Sequence, residues 1–304
     1  VPLLFRSAAR LISVLFGISV LVFLIVHAIP GDPAVIAAGM EASQETVERI
    51  RRDLGLDQPL ATQFARFVTN AASGDLGTSI RTGAPVMDEI RERLPHTLIL
   101  TAGGIGIAMG MGLLAGVLAA VARRRWVDRA VMASTLVSVS TPSYWLALMG
   151  MLVFALQLAL VPSIGVGSPL HYVLPIAVLG LQSAGQVARI TRAALRETLG
   201  HEYVRAAEAR GVSWWGAVRR HALTNAMLPI TTLIGLRIGG LLAGTVLVES
   251  VFAIPGVGRM MVDAVIARDF PMVQGGVLVV ATLIVVVNVL TDLVSSALDP
   301  RVRA

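Results

Sequence analysis

The chain has 304 residues, 55% hydrophobic and only 14% charged, with a mean hydropathy of +0.77, where soluble domains carry about 25% charged residues. So few charges cannot cover a soluble globule of this size, and the apolar residues fall in long blocks, so lipid is the expected solvent. The net charge of +6 comes from arginine without any lysine, and there is no cysteine; the arginines stand at the ends of apolar blocks, which argues against a nucleic-acid partner, and disulfides, thiol catalysis and cysteine zinc sites are excluded.

A hydrocarbon core of about 30 Å takes about 20 apolar helical residues to cross. Leu11 to Ile29, preceded by Arg6 and Arg10, is the first such run. It exceeds the roughly 7–15 apolar residues of a signal peptide and ends in Ile29-Pro30-Gly31-Asp32-Pro33, so an uncleaved helix is expected. The chain opens on Val1, and an initiator methionine is expected ahead of it. In the long loop from Pro30 to Pro95, Ser43 is placed to cap a helix with Glu45 in its first turn. Val47, Ile50 and Leu54 would form its apolar stripe, and Gly55 would end it. Such a helix either rests on the membrane surface or packs on the bundle.

Thr97 to Ala122 is the second span, closed by Arg123, Arg124 and Arg125. Ala130 to Ala188 has no Asp, Glu, Lys or Arg and is too long for one crossing; the Pro- and Gly-rich stretch from Val161 to Pro169 divides it into helices three and four. Ala222 to Val248, interrupted by Arg237, is the fifth and Phe270 to Thr291 the sixth. Six crossings put both termini on one side. That side holds Arg6, Arg10, Arg123, Arg124, Arg125, Arg129, Arg189, Arg192, Arg196, Arg205, Arg210, Arg219, Arg220, Arg301 and Arg303, and is cytoplasmic by the positive-inside rule.

No segment carries the pattern of a catalyst. Without lysine there is no Walker A loop, and neither HExxH nor GxSxG occurs. His27, His96, His171, His201 and His221 are scattered and are expected to be structural. Glycines four apart (Gly106 and Gly110, Gly112 and Gly116, Gly235 and Gly239, Gly240 and Gly244) predict helices that pack closely. Arg237, near the middle of helix five, costs about 2.5–3.5 kcal/mol to place in lipid. It must face protein or water, either in a transport pathway or in an ion pair with Asp292 or Glu249. Gln182, Ser183 and Gln186 of helix four, with Ser138, Ser140 and Thr141 before Pro142 of helix three, either line a polar path or bond within their helices.

The segment between helices four and five is the most informative. His201-Glu202-Tyr203-Val204-Arg205-Ala206-Ala207-Glu208-Ala209-Arg210 favours a short helix, Gly211 suits its left-handed end, and Ser213 can cap a second helix that returns to the membrane. The result is a helix–glycine–helix elbow or, more plainly, a basic loop that fixes topology.

This loop resembles the EAA signature of permease subunits of ATP-binding-cassette importers, with Arg205 where the signature's leading glutamate would stand and its Leu-Pro arriving later, as Leu228-Pro229. Further pieces resemble the dipeptide/oligopeptide, nickel and glutathione branch over nearly the whole chain. They are Pro30-Gly31-Asp32-Pro33-Ala34, Leu54-Gly55-Leu56-Asp57-Gln58-Pro59-Leu60, Gly74-Asp75-Leu76-Gly77, Arg91-Glu92-Arg93-Leu94-Pro95, Ile254-Pro255-Gly256-Val257-Gly258-Arg259, Arg268-Asp269-Phe270-Pro271 and Ala297-Leu298-Asp299-Pro300-Arg301.

The resemblance implies an all-α, six-span MetI-like permease in the bacterial inner membrane. It would comprise residues 1–30 as the first span, 31–95 as an extracytoplasmic loop, and 96–304 as the permease core with a cytoplasmic loop at 189–221. Glu202, Tyr203, Arg205, Ala206, Ala207, Glu208, Arg210 and Gly211 would couple to one or two separate ATPase subunits, which bind ATP and magnesium; the chain itself would hold no cofactor or metal and would not be an enzyme. A second, similar permease and an extracytoplasmic substrate-binding protein are the other implied partners. Small peptides are the implied substrate, with glutathione or a nickel complex as alternatives. A secondary transporter would need an ion-coupling carboxylate or broken helices at the midplane, and a membrane enzyme would need a nucleophile–base or metal constellation; neither pattern is evident.

Overall fold

In lipid every backbone N–H and C=O must find its partner within the protein, and among the described residues the chain meets this with helices, apart from one antiparallel bridge between Thr78 and Pro85. The computed structural model describes residues 2–28, 32–39, 42–53 and 55–298, without the side chains of 2–10, 26, 28, 37, 228, 292 and 294–298. Pro30, Gly31, Leu54, Asp299, Pro300, Arg301 and Arg303 lie outside the described residues, as do the side chains of Arg6, Arg10, Leu228 and Asp292.

In chain order the helices are α1 (Pro2–Ala28), α2 (Pro33–Ala38), α3 (Gln44–Asp53), α4 (Leu60–Ala72), α5 (Val86–Val121), α6 (Arg125–Ser140) and α7 (Ser143–Gly150), which runs on as a π-helix over Met151–Gln157. Then follow α8 (Leu170–Leu199), α9 (Glu202–Ala209), α10 (Trp214–Ala217) with a π-helical turn at Val218–Ala222, α11 (Leu223–Val251), α12 (Val257–Ala267) and α13 (Phe270–Leu298). Among the described residues four stretches are long and apolar enough to cross a membrane: Val86–Val121, Leu170–Leu199, Pro229–Val251 and Phe270–Thr291. The pair Arg125–Ser140 and Ser143–Gln157 adds a fifth when taken as one broken span, and α1 carries a shorter apolar run, Leu11–Ile25.

The third expected helix is not straight. Its two halves meet at 100°, and Thr141 between them is extended (φ −82°, ψ 126°). Pro142 is the cause: it has no N–H to give the preceding turn, and its ring disfavours a helical Thr141.

Two compact units divide the chain, Val1–His96 with Pro255–Val286, and Thr97–Ile254 with Val287–Ala304. In the first, α4 lies against α1 through Phe23–Phe64 and Phe23–Phe67 ring contacts, with centroids 5.3 and 6.3 Å apart. Asp32 caps α2 by accepting from Ala34 N at 2.9 Å. Ser43 caps α3 by accepting from Thr46 N at 3.3 Å, and Gly55 follows that helix with φ +69°. The core of this unit is Val86, Ile90, Val257, Met260, Ala264 and Met272. Asp269, 2% exposed, caps α13 through Met272 N and gathers the loop before α5. It accepts from the Ser79 hydroxyl, from Ile80 N at 3.2 Å and from Arg81 N at 3.3 Å.

In the second unit α8 is the central helix, and small residues explain how its neighbours reach it. A Cβ on Gly112 would lie 2.6 Å from Val187 Cβ, and one on Gly116 would lie 2.5 Å from Thr191 Cβ. A Cβ on Gly185 would meet Thr135 O of α6 at 2.9 Å. Backbone-to-backbone approach of this kind supplies the van der Waals contact that holds helices together where no hydrophobic effect operates. The Gly106 and Gly110 pair faces open space instead. Leu100, Leu174, Val178, Leu179, Leu241, Val248 and Phe252 form one core of this unit, and Thr97 Oγ1 donates to the fully buried Glu249 at 2.7 Å.

Candidate functional site

The elbow is built as its sequence requires. With eight residues, α9 is too short to persist in water on its own. It is held by Val204 and Ala207, 3% and 1% exposed, which bury one narrow stripe. Val204 packs into a cluster with Leu195, Ala217, Ala222, Ala226 and Ile230 from α8, α10, the π-helical turn and α11.

The helix ends in a Schellman motif. Gly211 N donates to Glu208 O at 2.9 Å and Val212 N to Ala207 O at 3.1 Å, and Gly211 takes φ +87°. Two residues on, Ser213 Oγ accepts from Gly216 N at 3.2 Å and starts α10. The chain therefore reverses at a glycine that only a residue without Cβ enters freely.

Everything α9 does not bury, it presents. Glu202, Tyr203, Arg205, Ala206, Glu208, Arg210 and Gly211 are exposed. Asn225 Nδ2 donates to Tyr203 Oη at 3.0 Å, and the Tyr203 ring stacks on His201 at 5.6 Å. Arg210 Nε donates to Ala206 O at 3.2 Å. An anchored helix with a mixed-charge outer face is suited to being gripped and moved as a rigid piece.

Behind the elbow stands an ionic clamp that the sequence reading missed. Asp128 of α6 accepts from Arg192 Nε at 2.5 Å and Nη2 at 2.8 Å, and from Arg196 Nη2 at 2.9 Å; that Nη2 also donates to Ala119 O at 3.2 Å. Arg192 and Arg196 are four apart and share one face of α8. That spacing, with an aspartate in the first turn of α6, is the signal that could have found it.

The candidate pathway residues do not converge on one point. Gln182 Nε2 donates to Thr141 O at 3.3 Å, and Ser138 Oγ to Leu181 O at 2.6 Å, so these groups fasten the bend at Pro142 onto α8. Thr141 Oγ1 returns to Val137 O at 2.7 Å. Ser140 is exposed, and Gln186 Oε1 is buried with no hydrogen-bond partner among the described residues. Arg237 is exposed on α11 and lines a small hollow with Ser183, Val187 and Ile105. It forms no ion pair among the described residues, and Glu249 lies more than three turns further along the same helix, bonded to Thr97. Asp292, the other suggested partner, lies outside the described side chains.

Residues 112–304 match the family of binding-protein-dependent transport system inner membrane components, and residues 1–101 match the N-terminal region of such membrane components. The chain belongs to the binding-protein-dependent transport permeases. This permease is 43% identical over 293 residues to the glutathione transport system permease protein GsiC of Escherichia coli O6:H1 strain CFT073, with 96% of each chain covered. The same identity and coverage hold for GsiC of Escherichia coli K12 and of Shigella dysenteriae serotype 1. Among solved structures, the MetNI methionine ABC transporter in an inward-facing conformation aligns with a TM-score of 0.59 at 21% identity, over 70% of the permease and 97% of that chain. An amino acid ABC transporter aligns at 0.53 and 18% identity, over 70% and 94%. The permease is thus a multi-pass membrane subunit of an ATP-binding-cassette importer, with the MetI-like helical fold.

Proposed function

We propose that the permease forms half of the translocation pathway of an importer for small peptides, glutathione foremost among them, and that the elbow at Gly211 is its coupling element. The elbow carries this reading: a short helix anchored by Val204 in a cluster with residues of α8 and α11, its Ala207 buried too, with Glu202, Tyr203, Arg205, Ala206, Glu208 and Arg210 turned outward. One or two ATPase subunits grip that face and hold the ATP and magnesium; the permease itself carries no cofactor and performs no catalysis. When nucleotide draws the ATPase domains together, α9 moves with them. The Gly211 turn and the apolar cluster pass that movement to α8 and α11, and the Asp128 clamp carries α6 along. Nucleotide then biases the pathway between two arrangements through its differential affinity for them.

The arginine-rich segments, the elbow included, face the cytoplasm, and both termini lie there. A second, similar permease completes the pathway, and an extracytoplasmic binding protein delivers the substrate. Glutathione leads because permeases 43% identical over 96% of this chain are glutathione permeases by name.

Reconstitution into vesicles with the ATPase subunits and the binding protein tests this reading. ATP-dependent accumulation of labelled glutathione or dipeptide supports it. Accumulation driven by an ion gradient without the ATPase subunits refutes it.

A further inference from the structure

Within the first unit the chain forms an open cavity of about 570 Å³ that coupling does not use. Its size falls in the range of about 300–1,000 Å³ typical of small-molecule sites.

The height of the cavity follows from its walls. Phe23 and His27 belong to the last turns of α1, where the apolar run Leu11–Ile25 gives out, and Phe270 and Gln274 open α13, where the span Phe270–Thr291 begins. The cavity therefore stands where hydrocarbon meets water, the level of lipid head groups.

Its charges are not all spent. Arg51 is committed to Asp32, whose hydrogen bond and charge raise the guanidinium above its already high pKa, and Glu48 lies 3.4 Å from its Nε. Gln63 is committed as well: its amide nitrogen donates to Gln58 O at 2.8 Å and its oxygen meets His27 Nε2 at 3.2 Å. Arg66 is different. It lines the cavity from α4, and its guanidinium makes no hydrogen bond or ion pair with a described residue. Its Nη1 rests over Gly55, where a Cβ would come within 2.5 Å, so Gly55 leaves the guanidinium its place. Asp75, which also lines the cavity, accepts from Gly77 N at 2.9 Å through Oδ1, and its Oδ2 has no partner among the described residues. Phe67 and Phe23, the latter only 6% exposed, add aromatic lining.

A guanidinium without a partner among the described residues, a carboxylate with a spare oxygen and aromatic rings, all lining one cavity at the membrane border, fit an amphiphile with an oxyanion in its head. We propose that this cavity is a phospholipid head-group site, in which the lipid phosphodiester pairs with Arg66 while its glycerol and first methylenes lie on Phe23 and Phe67. An ethanolamine head places its ammonium toward Asp75. A soluble peptide also carries an oxyanion, but it gains nothing from aromatic lining at hydrocarbon level. That the lipid belongs to the outer leaflet rests on the orientation proposed above; the contact itself does not.

The test uses the intact importer complex, released from detergent for native mass spectrometry after incubation with phosphatidylethanolamine or phosphatidylglycerol. Retention of lipid by the wild type and a five- to tenfold lower bound fraction in R66Q is expected, with D75N weakening ethanolamine more than glycerol heads. A wild-type measurement runs beside it: a lipid with a photoreactive group near its head should label residues 23–27 and 60–70. Unchanged retention in R66Q, or labelling confined to other segments, overturns the proposal. Displacement of the lipid by glycerophosphoethanolamine or a dipeptide at equal concentration also overturns it, assigning the cavity to a soluble anion. Neither readout involves ATP or uptake, so failure here leaves the importer reading standing.

Discussion

Asp128 grips Arg192 with both carboxylate oxygens, at 2.5 and 2.8 Å, and thereby ties the first turn of α6 to the end of α8 that leads into the elbow. The side chains are 15% and 27% exposed, so the pair is partly shielded from water and salt. D128N should lower the thermal midpoint of the purified complex by an amount worth about 1–2 kcal/mol. R192K should cost nearly as much, because a point charge cannot reproduce a two-pronged contact. Arg196 is 42% exposed, and R196Q should fall below about 1 kcal/mol. Thermal unfolding of the three variants side by side checks the order.

Gly211 holds φ +87° with open space where a Cβ would go. Substitution therefore strains the backbone without causing a clash. A residue other than glycine costs about 1–2 kcal/mol in this region, and a β-branched one more. G211V should leave membrane insertion intact while reducing copurification of the ATPase subunits, and G211N should be milder, because asparagine tolerates the left-handed region. Comparing ATPase recovered per permease for the two variants measures the difference.

How much of this was legible follows from the range of each interaction. The α9 end, the Gly211 turn and the Ser213 cap are written within a dozen residues, and local chemistry sufficed to place them. The 100° bend at Pro142 was only half legible: the proline is visible, but whether a helix kinks or breaks depends on what receives the freed groups, here Gln182 and α8. Glycine spacing predicted close packing for Gly112 with Gly116 and for Gly106 with Gly110 alike, yet only the first pair meets a neighbour, since spacing carries no direction. Asp128 escaped because counting arginines by side treats them as a sum and hides which one is paired. Asp269 stood out as part of a motif, but its partners on the loop near Ser79 are 188 to 190 residues away in sequence, beyond any local rule.

That long-range contact makes its own prediction. Asp269 is 2% exposed and serves the Ser79 hydroxyl and three backbone N–H groups, those of Ile80, Arg81 and Met272. D269A strands these donors, at a cost of about 3 kcal/mol, and D269N, which keeps one acceptor oxygen, should lose less. Hydrogen exchange should rise at the Ile80 and Arg81 amides before it rises in α5.

Arg237 is expected to meet an anionic group of the substrate. R237Q should leave assembly and basal ATP hydrolysis intact and reduce uptake of carboxylate-bearing substrates about tenfold. Full uptake across glutathione and dipeptides would remove Arg237 from the pathway.

The absence of cysteine allows the coupling element to be tested directly. Ala206 faces outward on α9, and its neighbour Ala207 is 1% exposed against the core. In the active, assembled importer, A206C should form a cross-link of near-contact length to an ATPase subunit, and bound nucleotide should change its yield. A207C, turned inward, should not cross-link. An assembled, ATP-hydrolysing complex in which A206C reaches no ATPase subunit, or in which it is labelled only by a lipid-soluble reagent, would contradict the assignment of the Gly211 elbow as the point where ATP's energy enters the membrane.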